Sequence, residues 1–482
     1  MDKRPIYATA REAFHDWRQL SVAERLTFLR AFRRTLADQG DQIAELLQKT
    51  TGKLTFEALT AEIFTVLTTI SYLEHVAAQQ LKPRAVRTPV LFWGRRSWVE
   101  YHPVGVVLVI APWNYPLQLT LIPALSALLA GNAVIIKPSE VTTELDAHFR
   151  RLFDQAGFPE GLVQIVSGDG EVGASLVKGE PDLIFFTGSV ATGQKIQMEA
   201  ARSLVPTILE LGGKDPLIIL EDAPLERAVQ GALWGSYTNC GQVCLGTERI
   251  YVQREIYPIF LERFLQEARL LKVGSMTSWQ QVEQVRAQVE DALAKGARLA
   301  LGSPPQDWVH DSLELKPMVL TDVNEEMAIA HQETFGPVVT ITPFTSDDEV
   351  IRLANATPYG LGASVWSKDL DRARRLAEQL VVGNISINDT MITVANPHLP
   401  FGGLKKSGLG SYHGAEGLRA FCTQRAVMES KGRVNSELNW FPYTPEKEAL
   451  LQALIKNVYG SERSWWRIVP KALNPRLWRQ KT

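Results

Sequence analysis

The chain has 482 residues, 45% hydrophobic and 22% charged, with a formal net charge of −2. That length predicts two large domains with room for a smaller third element, and the near-neutral balance argues against a nucleic-acid or acidic partner. Three cysteines are too few for a disulfide framework and predict a reducing, cytoplasmic setting.

Met1-Asp2-Lys3-Arg4-Pro5 leads into a polar amphipathic segment without the apolar run of a secretory signal. Residues 8–50 place Phe14, Trp17, Leu20, then Leu26, Leu29, Phe32, then Ile43, Leu46 and Leu47 at helical spacing, which predicts two or three amphipathic helices. Another helix is predicted over about Thr55 to Gln80, and residues 85–103 read as a two-stranded excursion around Gly94-Arg95-Arg96. Strand and helix then alternate. Strands are predicted at Val104–Ile110, Ala133–Ile136, Leu162–Val166, Leu183–Phe186 and Thr207–Leu211, the pattern of a parallel, doubly wound Rossmann-like sheet. No side chain between Val104 and Ile136 is charged, but Pro112, Pro116 and Pro123 cut the stretch into pieces too short to cross a membrane. A second α/β unit follows, with a strand at Leu217–Leu220, a helix at Leu225–Tyr237 and a strand at Arg249–Gln253. Helices near 256–271 and 279–297 precede strands at Val338–Phe344, Gly362–Trp366 and Asn384–Asn388.

The chemistry is predicted at Asn239-Cys240-Gly241-Gln242-Val243-Cys244-Leu245-Gly246, between that helix and the Arg249 strand. A nucleophilic thiol needs room for a substrate and donors that favour the thiolate, and the small, polar surroundings of Cys244 offer both. A structural cysteine beside a turn would read the same way locally. No Cys/His pair follows at zinc spacing, so no metal is expected.

Gly188-x4-Gly193 joins a strand to a helix, where glycine allows close backbone approach and the helix N-terminus favours phosphate. Lys137-Pro-Ser-Glu140 ends another strand with a cation and a carboxylate, a pair suited to ribose hydroxyls. Each alone reads more readily as a solvated turn; together in one sheet they point to a nicotinamide cofactor. Glu210 stands on an otherwise apolar strand, where burial raises a carboxyl pKa toward that of a general base, unless a lysine pairs with it. Asn114, in Pro-Trp-Asn-Tyr-Pro, offers an amide donor for an oxyanion, although a turn asparagine serves structure as readily.

Taken together, Pro112-Trp-Asn-Tyr-Pro116, Lys137-Pro-Ser-Glu140, Phe186-Thr-Gly-Ser189, Glu210-Leu-Gly-Gly213, Gly241-Gln-Val-Cys244, Glu333-Thr-Phe-Gly-Pro337 and Pro400-Phe-Gly-Gly403 resemble the aldehyde dehydrogenase superfamily. The Trp-Asn-Tyr-Pro loop and Ser407 to Gly414 resemble its class 3 branch, which takes fatty and aromatic aldehydes. The resemblance implies Cys244 as nucleophile, Glu210 as general base, and Asn114 with the Cys244 N–H as oxyanion donors. It implies NAD, with NADP possible, held through Trp113, Lys137, Glu140, Gly188, Ser189, Gly193, Leu211, Glu333 and Phe335. It divides the chain into a cofactor domain of 1–84 and 104–212 and a catalytic domain of 213–405. Residues 85–103 with 406–430 would form a β-element for homodimerisation, and 431–482 a tail. The implied reaction is oxidation of a medium- to long-chain aliphatic or aromatic aldehyde to the acid through a cysteinyl thioester. The chain departs from the family pattern in a shortened loop at Ser275-Met276-Thr277, in Gln332 for an acidic residue, and in Thr334 for a bulky apolar one.

From Lys456 to Thr482, seven basic residues stand against one acidic, with Trp465, Trp466 and Trp478 among them. That composition suits either an anionic membrane interface or a helix packed on the protein itself. Two other functions compete: a dehydrogenase that passes its acyl group to coenzyme A or forms it in reverse, and a non-enzymatic scaffold. A water-activating Glu210 argues against the first, and the intact Cys244, Glu210 and Asn114 argue against the second.

Overall fold

The structure is a computed structural model that describes residues 4–461 apart from Trp93 and Val434. The tail residues Arg463, Trp465, Trp466, Arg467, Lys471, Arg476, Trp478, Arg479 and Lys481 therefore lie outside the described residues. Two compact units divide the chain: Met1–Lys82 with Tyr101–Thr423, and Pro83–Glu100 with Gln424–Thr482.

The strands in chain order begin with β1 (Arg84–Val86), β2 (Arg96–Pro103), β3 (Val106–Ile110), β4 (Ala133–Lys137) and β5 (Val163–Ile165). Next come β6 (Leu183–Thr187), β7 (Thr207–Glu210), β8 (Asp215–Ile219), β9 (Thr247–Gln253), β10 (Arg298–Leu301) and β11 (Met318–Thr321). The last are β12 (Val338–Phe344), β13 (Gly362–Trp366), β14 (Asn384–Ile387), β15 (Gly408–Leu409) and β16 (Cys422–Glu429). They form a six-stranded sheet ordered β15-β7-β6-β3-β4-β5, a seven-stranded sheet ordered β10-β11-β12-β9-β8-β13-β14, and a three-stranded sheet ordered β1-β2-β16. In the first sheet β3, β4, β5, β6 and β7 pair parallel, and only β15 runs antiparallel, against β7. In the second only β10 against β11 is antiparallel. This is the doubly wound α/β architecture that the alternating pattern predicts.

β3 and β4 are buried at every residue, as befits strands covered by helices on both faces. Winding reverses at β3: β4 and β5 lie on one side, β6 and β7 on the other. The carboxyl ends of β3 and β6, neighbours across that reversal, are where such sheets bind ligands. The uncharged helix Gln118–Ala130 is buried throughout and ends at Gly131 with φ 103°, a left-handed stop that glycine makes cheaply. It is core, as its prolines predict.

Only residues 211–214 link β7 to β8, and β8 pairs with β9 from Asp215 opposite Thr247. The carboxyl end of the first sheet therefore meets the amino end of the second. Glu210 closes β7, and Cys244 lies just ahead of β9.

The structure differs from the sequence reading in three places. The segment predicted as one helix from Thr55 to Gln80 contains a π-helical stretch, Ala58–Phe64, before an α-helix at Thr65–Gln80. The sequence pattern did not show β10, β11 or the helices Asp347–Asn355 and Leu370–Ala377. By strand pairing, the part of 406–430 that joins 85–103 is Cys422–Glu429, whereas Gly408–Leu409 extends the six-stranded sheet.

Candidate active site

The approach to Cys244 is a left-handed turn. Asn239, Cys240 and Gly241 have φ of 50°, 55° and 71° in succession, a conformation costing non-glycine residues about 1–2 kcal/mol each. Strain of this kind persists only where neighbours over-determine it, and the neighbours are identifiable. The Glu57 carboxylate accepts from the Asn239 N–H at 2.7 Å and the Thr238 hydroxyl at 3.0 Å. The fully buried Gln242 side chain donates to the Asn239 carbonyl at 3.0 Å and accepts from the Thr277 N–H at 2.9 Å. Gly241 lies against the Gly336 carbonyl so closely that no Cβ fits. Cys240 is fully buried, a small filler in a tight turn, while Cys244 is half-buried and lines a cavity.

The shortened loop at Ser275–Thr277 takes part in this clamp. Ser275 N–H donates to the Gly52 carbonyl at 3.0 Å and the Thr277 hydroxyl to the Thr51 carbonyl at 2.8 Å, while Gln242 donates to the Ser275 carbonyl at 3.3 Å. The abbreviation thus ties the cysteine loop to the turn at Gly52.

Asn114 lies between β3 and the buried helix and is 4% exposed. Its side-chain amide donates to the Gln242 carbonyl at 3.1 Å. An amide has two N–H donors, so one remains for an oxyanion. The Asn114 carbonyl accepts from Lys53 Nζ at 2.9 Å and Asn239 Nδ2 at 3.1 Å.

Glu210 and Cys244 line one cavity of about 530 Å3. Its walls are largely apolar: Leu54, Phe56, Leu119, Leu233, Trp234, Leu271, Val273 and Ile392 among others. Glu210 is 4% exposed, and neither carboxylate oxygen has a partner among the described residues. The alternative of a lysine partner for Glu210 is not met. Burial alone pushes its pKa well above the ordinary carboxylate range. Burial also pushes the Cys244 thiol up, with Glu333, Asp215 and Glu210 adding to the effect.

Of the expected cofactor residues, Trp113, Lys137, Glu140, Gly188, Ser189, Gly193 and Leu211 lie at or beyond the carboxyl ends of β3, β4, β6 and β7, whereas Glu333 and Phe335 lie ahead of β12. Lys137 closes β4 and holds the half-exposed Glu140 at 2.6 Å, a contact that with burial as the opposing influence leaves Glu140 below its usual pKa. Ser189 caps the thirteen-residue helix Val190–Arg202, its hydroxyl accepting from Thr192 N–H at 3.3 Å. A Cβ at Gly193 would meet Leu211 Cδ2 at 2.6 Å, and one at Gly188 the Phe186 ring at 2.6 Å. Glycine is therefore required at both positions for the turn to pack on Leu211 and Phe186, and the turn opens the helix Val190–Arg202, whose N-terminus suits a pyrophosphate. Trp113 and Phe335 meet edge to face at 5.5 Å. Glu333 accepts from the Gly213 N–H at 3.0 Å, and burial, with Glu248 adding, raises its pKa to about 8.

Thr334 is explained by what surrounds it. Its hydroxyl accepts from the buried Lys214 at 3.0 Å and donates to Gln288 at 2.7 Å. Lys214 also pairs with Glu248, whose carboxylate accepts from the Thr334 and Phe335 N–H groups at 2.9 Å each. A bulky apolar residue would leave that ammonium with Glu248 but without the hydroxyl of Thr334. Sequence reasoning did not single out Glu57, Gln242, Lys53, Glu62 or Glu248. Only Gln242, inside the cysteine motif, carried a signal.

The sequence profile of the aldehyde dehydrogenase family matches residues 2–427. A 4,4'-diapolycopene aldehyde oxidase of Methylomonas sp is 43% identical over 455 residues, covering 92% of this chain and 85% of the relative. The crystal structure of an NAD-dependent aldehyde dehydrogenase from Sinorhizobium meliloti superposes with a TM-score of 0.86 at 33% identity, covering 92% of this chain and 88% of that one. Betaine aldehyde dehydrogenase from Staphylococcus aureus in complex with NAD+ gives 0.84 at 32% identity, covering 91% and 88%. The motifs, their gathering around one cavity and these likenesses agree: the chain belongs to the aldehyde dehydrogenase family.

Proposed function

We propose that the protein oxidises an apolar aldehyde, medium- to long-chain aliphatic or aromatic as in the class 3 branch, to its carboxylic acid. The observation that carries this reading is the largely apolar 530 Å3 cavity that ends on both Cys244 and the unpartnered Glu210. Lys272 and Glu57 are the charged side chains that line it besides Glu210, and most of the wall is apolar, so an alkyl chain or ring gains from every CH2 it buries there.

Cys244 gives up its thiol proton to solvent through the cavity, and the thiolate Sγ adds to the aldehyde carbon. The oxygen that becomes negative is held by the free Asn114 amide hydrogen and the Cys244 N–H, each such donor being worth about 3 kcal/mol. The cofactor is NAD(P)+, which when bound accepts the hydride that leaves the former aldehyde carbon. Lys137 and Glu140 would hold its adenosine ribose, the Gly188–Gly193 turn its pyrophosphate, and Glu333 with Trp113 and Phe335 its nicotinamide end. Glu210 then takes a proton from the water that cleaves the thioester, a role suited to a carboxyl whose pKa burial has raised.

We further propose a cytoplasmic homodimer, in keeping with the three cysteines and the family resemblance, and the composition of the basic, tryptophan-bearing tail suits an anionic membrane surface. The acyl-transfer alternative loses ground, since a site that must spare its thioester gains nothing from Glu210 poised beside the thiol.

NADH formation from hexanal and from a long-chain aldehyde tests the function. Cys244→Ala should abolish it, and Glu210→Gln should give a single burst and then stall. Steady turnover of Glu210→Gln that needs coenzyme A would replace hydrolysis with acyl transfer. Absence of NADH from any aldehyde would sink the reading.

A further inference from the structure

Lys53 and Glu62 form an ion pair at 2.5 Å with both side chains wholly inaccessible to solvent. A buried pair is a costly way to fill a core, because desolvating two charges consumes most of what their attraction returns, and apolar residues of similar volume do as well or better for stability. What apolar residues cannot do is hold polar backbone. Lys53 Nζ also donates to the Asn114 carbonyl at 2.9 Å and lies 4.3 Å from the centre of the Tyr115 ring. The second oxygen of Glu62 accepts from the Leu117 and Gln118 N–H groups, both at 3.0 Å. Those are otherwise unsatisfied donors at the start of the helix Gln118–Ala130.

The pair therefore grips the Asn114 loop at both ends. It is itself fixed from two sides. Lys53 follows the left-handed Gly52, whose carbonyl accepts from Ser275, and Glu62 sits within the π-helical stretch Ala58–Phe64. Such irregular turns recur at functional sites. Ala61, Thr60 and Thr65, on the same stretch or just beyond it, line the cavity that Cys244 faces.

We propose that Lys53 and Glu62 are positioning residues for the oxyanion donor: they set the backbone of the Asn114 loop so that its free amide hydrogen meets the developing oxyanion. This deepens the aldehyde-oxidation reading and rests on it. Neither residue touches substrate, so their effect on rate must pass through Asn114.

The test is a cycle of variants in the full-length protein: wild type, Asn114→Ala, Lys53→Met with Glu62→Gln, and the triple combination. Removing both charges avoids stranding either one. In the wild-type background the pair substitution should lower kcat/KM for hexanal roughly 10- to 100-fold, less than the 10²–10³ lost with an entire donor. In the Asn114→Ala background it should cost less than about twofold, since the donor it positions is already gone. The melting temperature, which reports the structural contribution, should fall equally in both backgrounds. An equal fold loss of kcat/KM in both backgrounds would overturn the proposal. Should the pair variant fail to fold, Glu62→Gln alone, which keeps the shape and one acceptor oxygen, is read against the same background. Wild type without aldehyde oxidation would refute the function itself, a result distinct from additivity.

Discussion

The carboxyl of Glu210 and the thiol of Cys244 face one cavity, burial raises the cost of ionising each, Glu210 adds to that cost for Cys244, and no cation offsets either among the described residues. The proposed nucleophile therefore rests as a thiol without cofactor and substrate.

The first consequence is a slow, alkaline-shifted thiol. For the Cys244 thiol, burial is the larger influence, followed by Glu333, Asp215 and Glu210. The pH midpoint of Cys244 alkylation by iodoacetamide, followed by peptide mass spectrometry, should lie above the ordinary ~8.5 of a free cysteine. Glu333 ionises near its own pKa of about 8, so above that pH its charge opposes the thiolate. Glu333→Gln should move the midpoint down. A wild-type midpoint below 8 would contradict this.

A second consequence concerns stability. The folded pKa of Glu210 is raised above its unfolded value, so the native state holds a proton that the unfolded chain releases above about pH 4.5. Stability from this group is therefore greatest at low pH and falls as pH rises toward the folded pKa. Gln does not titrate. Glu210→Gln should be more stable than wild type by about 1–3 kcal/mol at neutral pH, and the gap should widen between pH 5 and 8. Thermal melts across that range check it; a gap that narrows with pH would show that the carboxylate has a partner. An active-site residue that costs stability is the expected form of a stability–activity trade-off.

Much of this site was legible before the fold. Gly188, Gly193, Lys137, Glu140 and Glu210 end or follow strands whose apolar runs are plain, so their placement at sheet ends follows from the pattern, and Cys244 stands just ahead of one. The supports were not legible. Lys53 and Glu57 look like ordinary charged residues near a helix start, and nothing local tells that they reach the Asn114 carbonyl 61 residues on or the Asn239 N–H 182 residues on. Burial of a charge is a tertiary fact. The π-helical turn is hidden for a related reason: its composition suits an α-helix, and the register changes where Glu62 is drawn to Lys53 and the next helix start.

The left-handed turn before Cys244 gives a third prediction. Gly241 has φ 71° and lies against the Gly336 carbonyl, which is backbone and cannot swing aside. Gly241→Ala should therefore displace the turn and cost several kcal/mol of stability, with activity falling at least tenfold. Glu57→Gln is the milder probe. It keeps an acceptor oxygen but loses the charge that strengthens the bonds to Asn239 and Thr238, so kcat should drop a fewfold with little change in cofactor affinity. Full activity in Gly241→Ala would mean that the turn is not needed to present Cys244.

A fourth prediction follows from the Lys137–Glu140 contact. Glu140 occupies the lysine at 2.6 Å, and in the proposed ribose site its charge would repel a 2′-phosphate. Glu140→Ser removes the charge and frees the ammonium, so the ratio of kcat/KM for NADP+ to that for NAD+ should rise at least tenfold. An unchanged ratio would place the adenosine ribose elsewhere.

The cavity wall offers the last test, aimed at substrate class. Trp234 lies on the helix Leu225–Tyr237, lines the cavity and is 49% exposed; Phe56 and Leu271 line it too while remaining partly in solvent. An alkyl chain running outward from Cys244 would cover such side chains and gain about 0.8 kcal/mol per buried CH2. For linear aldehydes kcat/KM should thus climb roughly fourfold per carbon and level off once the chain outgrows the wall. Trp234→Ala should bring the plateau to shorter chains and raise KM for the long ones about tenfold, while propanal, too short to reach the helix, should be oxidised as before. If propanal and a long-chain aldehyde lost activity in equal measure, Trp234 would be supporting the helix rather than the substrate. If kcat/KM did not depend on chain length in the wild type, the apolar-aldehyde assignment would fall while the cysteine chemistry stood.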